Sequence, residues 1–241
     1  MTGSGEKNNV CAMNEKRTDV EAKYTALGHC NISLGIYLDS LYSVHEKEVN
    51  LDIVSNYEPQ DNPFDGRTFL HNGIKTRTIS HKQWKPSRDD SYLLTGIAPT
   101  TKEKIFNFFH KNFDINEAQY VSLVHKSSIV SHGVEFEGPV YISSGGVVAQ
   151  FARLGKFVSI QRNVIVEHHT QIGEYSSIFS GANIGPSCKI GKNVKINMGA
   201  TILNGLEIGD NAEIGAGALV TKSVPSNTLV YGCPAKIIKM I

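Results

Sequence analysis

From Val124 to about Val224, every sixth residue is large and apolar. The series runs Val124, Val130, Phe136, Ile142, Val148, Leu154, Ile160, Val166, Ile172, Ile178, Ile184, Ile190, Ile196, Ile202, Ile208, Ile214 and Val220. With 40% of the chain apolar, 17 such residues in one register would arise by chance with odds of ~10⁻⁷. Four residues after each lies a second column, nearly all small or β-branched: Ala152, Val158, Val164, Thr170, Ser176, Ala182 and Cys188 are typical. The stretch is a hexapeptide repeat.

A helix would place apolar residues at intervals of 3.6 and a simple strand at intervals of 2. A period of six instead means a short strand, a corner, and another short strand. Three such units close a triangular coil, whose large residue fills the interior while the small one fits a crowded corner. Successive coils pair as parallel strands about 4.8 Å apart, so 17 hexads predict a prism roughly 27 Å tall. A solenoid of this kind is stabilised coil upon coil and needs a cap at each end. Pro225 and Pro234 lack an N–H and suit the end of a strand ladder.

Upstream of residue 123 the pattern changes. Residues 1–22 are polar and without periodicity, and are expected to be disordered. Residues 23–122 alternate strand and helix signals. Strands are expected at Tyr24–Leu27, Leu51–Val54 and Tyr92–Leu94, with a last one at Tyr120–Val124 leading into the prism. Ile32, Leu34, Ile36, Tyr37, Leu38 and Leu41 suit a first helix. Ile105, Phe106, Phe108 and Phe109 suit a second, capped by Thr100 or Thr101. Asp61–Lys85 is mixed and polar and reads as an irregular excursion. The alternation predicts a small parallel sheet with ligands at the carboxyl ends of its strands. The fold class is thus an α/β unit over 23–122 and a parallel β-helix over 123–241.

Composition narrows the functions open to such a chain. The formal charge of +1 and the lack of a basic run argue against nucleic acid as a partner. No run approaches 18 apolar residues, and the first residues lack an apolar signal core, so a cytoplasmic setting is expected. Cys11, Cys30, Cys188 and Cys233 show no paired spacing and read as reduced thiols. Gly28-His29 is either an ordinary tight turn or a reduced phosphate cradle.

His168 is the third residue of its hexad and His169 the fourth, both near a corner. At steps of 18 residues His168 stacks with His132, Gln150, Pro186, Asn204 and Lys222. His132 lies two coils away, roughly 9.6 Å, whereas zinc–nitrogen bonds are about 2 Å. The two histidines cannot share one zinc ion, and no metal is expected.

The segment Ile165-Val166-Glu167-His168-His169-Thr170-Gln171-Ile172-Gly173-Glu174 resembles the Glu-His-(Asp/Glu)-Cys-x-Ile-Gly-(Glu/Asp) segment of hexapeptide acyltransferases. The match is to the group of sialic-acid O-acetyltransferases and bacillosamine-type nucleotide-sugar N-acetyltransferases. The closing run Ile214-Gly215-Ala216-Gly217-Ala218-Leu219-Val220-Thr221-Lys222 and Tyr231-Gly232-Cys233-Pro234-Ala235-Lys236 is similar to the same family's C-terminal signature. The resemblance implies that the helix is left-handed, although most parallel crossovers are right-handed. It implies an acetyl-CoA-dependent sugar N-acetyltransferase, a homotrimer with its site between adjacent prisms, and a product used in surface glycan synthesis.

Roles follow residue by residue. His168 is implied as general base, since a free imidazole accepts a proton at neutral pH. Glu167 either orients or polarises His168 or is a solvated corner residue. Met198, Gly199, Ala216 and Gly217 match positions that flank the pantetheine arm of coenzyme A, and Lys222 and Lys236 could neutralise its phosphates. Gly28, His29, Asn56 and Gly96, with Gln161 and His169, are implied to bind the nucleotide-linked amino sugar. Some positions depart from the family. His169 stands where an acid is usual, Gln161 where the bacillosamine enzyme has Asn, and Ser177 where it has His. Pro186 stands where a glycine amide is implied to hold the oxyanion, and proline has no N–H. Three rival readings stay open: a sugar O-acetyltransferase, a non-catalytic scaffold, and a metal-dependent hydratase of the same architecture.

Overall fold

The computed structural model describes residues 22–28, 31–45, 49–56, 74–87 and 90–241. The expected tail, His29, Cys11 and Cys30 lie outside the described residues, apart from Ala22.

Four strands form the N-terminal sheet: β1 (Ala22–Leu27), β2 (Val49–Ser55), β3 (Ile74–Ser80) and β4 (Ser91–Leu94). Their order is β3-β2-β1-β4 and every pair is parallel. A parallel sheet needs cover on both faces, and two helices supply it. Tyr37, Leu38 and Leu41 of α1 (Asn31–His45) pack on Ala26, Leu51, Ile53 and Leu93. Ile105 and Phe109 of α2 (Pro99–Phe113) pack on Leu27, Val54, Tyr92 and Leu94. Alternate residues of the same strands feed the two clusters, as a period of two requires.

Three expectations need correction. The stretch Asp61–Lys85 holds an edge strand, β3, whose residues Lys75, Arg77 and Thr78 are exposed. Charges on an edge blunt further pairing and also hide the strand from a search for buried runs. Residues 61–73 of that stretch lie outside the described residues. Helix α2 is not capped by Thr100 or Thr101. Its N-cap is Ala98, with no side-chain bond, and Pro99 presets the first helical φ. Tyr120–Val124 is not one strand: Tyr120 makes a single bridge to Tyr92, and Leu123–Val124 already belongs to the prism.

From Leu123–Val124 to Leu219–Val220 the chain forms the two-residue strands β5 to β21, one every six residues. They stack in three parallel sheets of a left-handed β-helix. Face I carries the pairs at 123, 141, 159, 177, 195 and 213. Face II carries those at 129, 147, 165, 183, 201 and 219, and face III those at 135, 153, 171, 189 and 207. The sixfold apolar column fills the interior, with Ile142, Leu154, Ile160, Val166, Ile178, Ile184 and Ile196 at 0% exposure. The small column is buried at the corners. There Thr170 Oγ1 donates to Gly185 O and Ser176 Oγ to Gly191 O, so the polar members satisfy corner carbonyls. β22 (Thr228–Tyr231) and the antiparallel β23 (Lys236–Met240) cap the top of face I.

The α/β unit docks on face I and the corner between faces III and I. Tyr141 Oη donates to Ile36 O at 3.1 Å and lies 3.0 Å from Ser40 Oγ. Ser177 Oγ donates to Ile97 O at 2.7 Å. Phe106 and Tyr120 pack on Phe157, and Phe157 lies against Tyr175 of the next coil. Lys156 pairs with Glu117 at 3.0 Å.

Candidate functional site

All four strands of the small sheet run the same way, so their carboxyl ends share one edge. Gly28 follows β1, Asn56 follows β2 and Gly96 lies just beyond β4. Gly28 has φ +97, and a Cβ there would sit 2.7 Å from both Ile105 Cδ1 and Thr95 Oγ1. Only glycine lets β1 end this close to α2. Its N–H is held by Val54 O at 3.0 Å, and Thr95 Oγ1 donates to Leu27 O at 2.9 Å. Ser177's bond to Ile97 then fixes the Gly96 loop against face I. The position where the bacillosamine enzyme has a histidine is used here for docking. The same edge carries His81, just after β3, with its Nδ1 3.0 Å from Ser55 O and its ring edge-on to Phe108. Sequence reading missed His81 because it missed β3; the Ile/Thr alternation of residues 74–80 was the available signal.

The remaining candidates fall on two corners of the prism. Gln161, Met198, Gly199, Ala216 and Gly217 lie on the corner between faces I and II. Gln161 is buried and Met198 is 61% exposed. The N–H groups of Gly199 and Gly217 serve the ladder, donating to Ser180 O and Met198 O. Among the described residues, those of Met198 and Ala216 take no part in it.

Glu167, His168, His169 and Lys222 lie on the other edge of face II, at the corner with face III. Glu167 is half-buried; the two histidines and Lys222 are exposed. His168 Nδ1 lies 3.0 Å from His169 Nδ1, with the rings at 89°. Lys222 is three coils above His168, about 14 Å by the strand spacing. Lys236 begins β23, opposite Tyr231, and the N–H of the preceding Ala235 donates to Leu219 O, at the end of the last coil's corner between faces I and II.

Pro186 sits one coil above His168. The ladder uses the N–H groups of Glu167, His169, Gly185, Ser187, Leu203 and Gly205, but none from the column His132, Gln150, His168, Pro186, Asn204 and Lys222. Proline therefore costs the fold nothing at this position. It removes an outward N–H from the place next to the histidine. Gly185 and Ser187 donate to Ile202 O and His168 O, so neither supplies a spare amide.

One functional group was not anticipated. Lys102 of α2 is 2% exposed, and its Nζ donates to Phe157 O at 2.7 Å, Ser159 Oγ at 3.0 Å and Ser176 O at 3.1 Å. Burial pushes its amine well below the ordinary lysine range. A lysine inside an amphipathic helix gives no local sign of burial. Among the described residues no group of three or more His, Cys, Asp or Glu could hold a metal ion. None of their helices is long and apolar enough to cross a membrane.

Residues 187–222 match the family model described as bacterial transferase hexapeptide (six repeats). No curated protein matches the chain. Among solved structures, the chain is similar to PerB from Caulobacter crescentus in complex with CoA and GDP-perosamine. That match has 17% identity, covers 90% of this chain and 97% of that one, and has a TM-score of 0.71. Similar too is the acetyltransferase domain of PglB from Neisseria gonorrhoeae with acetyl coenzyme A, at 16% identity, 91% and 100% coverage and a TM-score of 0.70. WeeI from Acinetobacter baumannii is 22% identical over 90% of this chain and 100% of that one, with a TM-score of 0.52. The prism is a hexapeptide-repeat β-helix, and over about nine-tenths of its length the chain shares the fold of these structures.

Proposed function

We propose that the chain is an acetyl-CoA-dependent N-acetyltransferase acting on the amino group of a nucleotide-linked amino-dideoxy sugar. The supporting observation is that the likeness to PerB, solved with CoA and GDP-perosamine, spans both the small sheet and the prism. Perosamine N-acetyltransferase has also been solved with one histidine replaced by Asn or by Ala. Here an exposed histidine, His168, stands on a prism corner, and a glycine-lined strand edge is fixed against the same prism.

In this reading the strand edge at Gly28, Asn56, His81 and Gly96 holds the nucleotide. The corner at Met198 and Ala216 holds the pantetheine arm through its unused N–H groups. The sugar's free amine attacks the thioester carbonyl carbon. As the C–N bond forms, His168 takes the proton that the nitrogen gives up. Collapse of the tetrahedral intermediate breaks the C–S bond, and the proton passes to the departing thiolate. The products are the acetamido sugar and free coenzyme A. Pro186 donates nothing to the oxyanion.

In one chain the two corners lie at opposite edges of face II, six residues or at most about 20 Å apart along the chain. A second copy, packed on face II, would set its own coenzyme corner beside His168. Face II is suited to that. Its outward row includes Ile129, Val147 and Ile165, with Ile129 60% exposed, whereas face III presents the ion pairs Arg153–Glu135 and Lys189–Glu207. A ring of three copies, each corner II–III meeting the next copy's corner I–II, is a closed head-to-tail arrangement. A cytoplasmic setting and use of the product in surface glycans belong to the same reading.

The test is a thermal-shift series with acetyl-CoA and with GDP-, UDP- and dTDP-linked amino sugars, followed by thiol-release assays. A ligand at a hundred times its Kd adds about 2.7 kcal/mol. Stabilisation by acetyl-CoA and one nucleotide sugar, with turnover lost in His168→Ala, is expected. Turnover on hydroxyl sugars alone would make the protein an O-acetyltransferase. No stabilisation by any of these ligands would leave a scaffold.

A further inference from the structure

We infer that His169 is a positioning residue that fixes the tautomer and ring orientation of His168, and that Phe151, seated on Gly133, holds His169 in place. The geometry stands by itself; its consequence for rate rests on the acetyl-transfer reading above.

The two imidazoles meet through Nδ1 atoms 3.0 Å apart, so one nitrogen donates and the other accepts. If His168 Nδ1 carries the hydrogen, its Nε2 keeps a lone pair and can act as base. The opposite arrangement places a hydrogen on Nε2 and removes that capacity. A base that takes a proton at Nε2 continues to donate from Nδ1 to His169, so the contact is kept and strengthened as charge develops. A carboxylate would serve the same purpose; here a second imidazole does.

His169 is itself supported. It has φ +59 and shares a left-handed corner column with Phe151 (φ +61) and Gly133 (φ +78), each 18 residues apart. The Phe151 ring lies 5.2 Å from the His169 ring, although Phe151 is 55% exposed. A Cβ on Gly133 would sit 2.8 Å from Phe151 Cδ1. The absence of a side chain at Gly133 is what lets the phenyl ring lie down on the coil below and buttress His169. Three successive coils thus form a stack that ends at the base. The charged and titratable groups sharing this corner are Glu167, His132 two coils below, the buried Cys188 one coil above and Lys222 three coils above. Neither imidazole of the pair forms an ion pair among the described residues.

The experiment uses ¹⁵N-labelled full-length protein. Two-bond ¹H–¹⁵N spectra report which nitrogen of each histidine carries hydrogen, and steady-state kinetics follow the same samples. In the unmodified protein His168 is expected as the Nδ1–H form. His169→Ala should release it to the Nε2–H form and lower kcat about tenfold to a hundredfold with KM little changed. His169→Asp and His169→Asn keep an acceptor, so both should retain the Nδ1–H form. Asp should restore most of kcat and move the acid limb of the pH profile upward, because a carboxylate favours the imidazolium. Phe151→Ala and Gly133→Ala should broaden or shift the His169 signals and lower kcat several-fold, with circular dichroism unchanged. Retention of the Nδ1–H form in His169→Ala, or equal kcat for the Ala and Asp variants, overturns the inference. If no variant, and not the unmodified chain, transfers acetyl groups, the enzymatic reading fails while the tautomer spectra still decide the pair.

Discussion

Lys102→Met removes the ammonium of Lys102 and keeps an unbranched stem of similar length. The three acceptors do not suffer equally. Ser176 O also accepts from Ser159 N, and Ser159 Oγ donates to Ser177 Oγ, so both keep partners. Among the described residues Phe157 O has no other donor, and Phe157 is 5% exposed. One buried carbonyl left unpaired costs about 1–3 kcal/mol. Against this, folding buries an amine whose charged form is disfavoured. Its folded pKa lies below its unfolded one, so the unfolded chain binds the extra proton. Stability from this group therefore rises with pH, by up to about 1.4 kcal/mol per unit, from the lowered folded pKa to the ordinary lysine value near 10.4. The variant lacks this dependence. Above that value it should be less stable than the unmodified chain by about 1–3 kcal/mol. The difference should shrink as pH falls and invert once the accumulated linkage exceeds it. The assay is urea unfolding between pH 7 and 10.5, followed by the fluorescence of Trp84, the single tryptophan, which packs on Tyr92, Phe109 and Phe113. A difference between the two proteins that stays constant across this range would refute the reasoning.

Gly28→Ala meets both a left-handed φ and the Ile105 and Thr95 side chains, so it should cost about 2–4 kcal/mol by the same fluorescence and weaken nucleotide-sugar binding; a loss below about 1 kcal/mol would count against the tight β1–α2 junction. Ile165→Glu places a charge on the apolar row of face II. Sedimentation should show the proposed trimer dissociating while the circular dichroism of the prism is unchanged, and an unchanged assembly would remove face II from the interface. Pro186→Gly returns an outward N–H above His168 that the ladder does not use. It should raise kcat, by up to about a hundredfold, at a stability change under about 1 kcal/mol; an unchanged kcat would mean that this position does not face the oxyanion.

The legible parts of the fold are those where the same physical demand repeats. Each interior position from Ile142 to Val220 needs one large apolar side chain, so the sixfold column reports the coil directly. Tyr24–Leu27, Leu51–Val54 and Tyr92–Leu94 could be read because both faces of a parallel sheet are buried. β3 carries a weaker sign, the Ile/Thr alternation alone, since an edge strand with Lys75 and Arg77 facing solvent has no buried run. The cap of α2 was misplaced because Thr100 and Thr101 have capping chemistry, but Pro99 and the extended Ala98 settle where the helix begins.

The sequence by itself determined the β-helix, the parallel character of the small sheet and the corner that carries Glu167, His168 and His169, because each follows from spacing along the chain. Only the tertiary structure decided what spacing cannot encode. It set the two candidate corners on opposite edges of face II and used Ser177 to hold the Gly96 loop. It buried Lys102 against Phe157 O, and it laid Phe151 on Gly133 beneath His169. These contacts join residues 18 to 80 positions apart. They arise where coils stack and the α/β unit docks, and no local pattern of polarity records that.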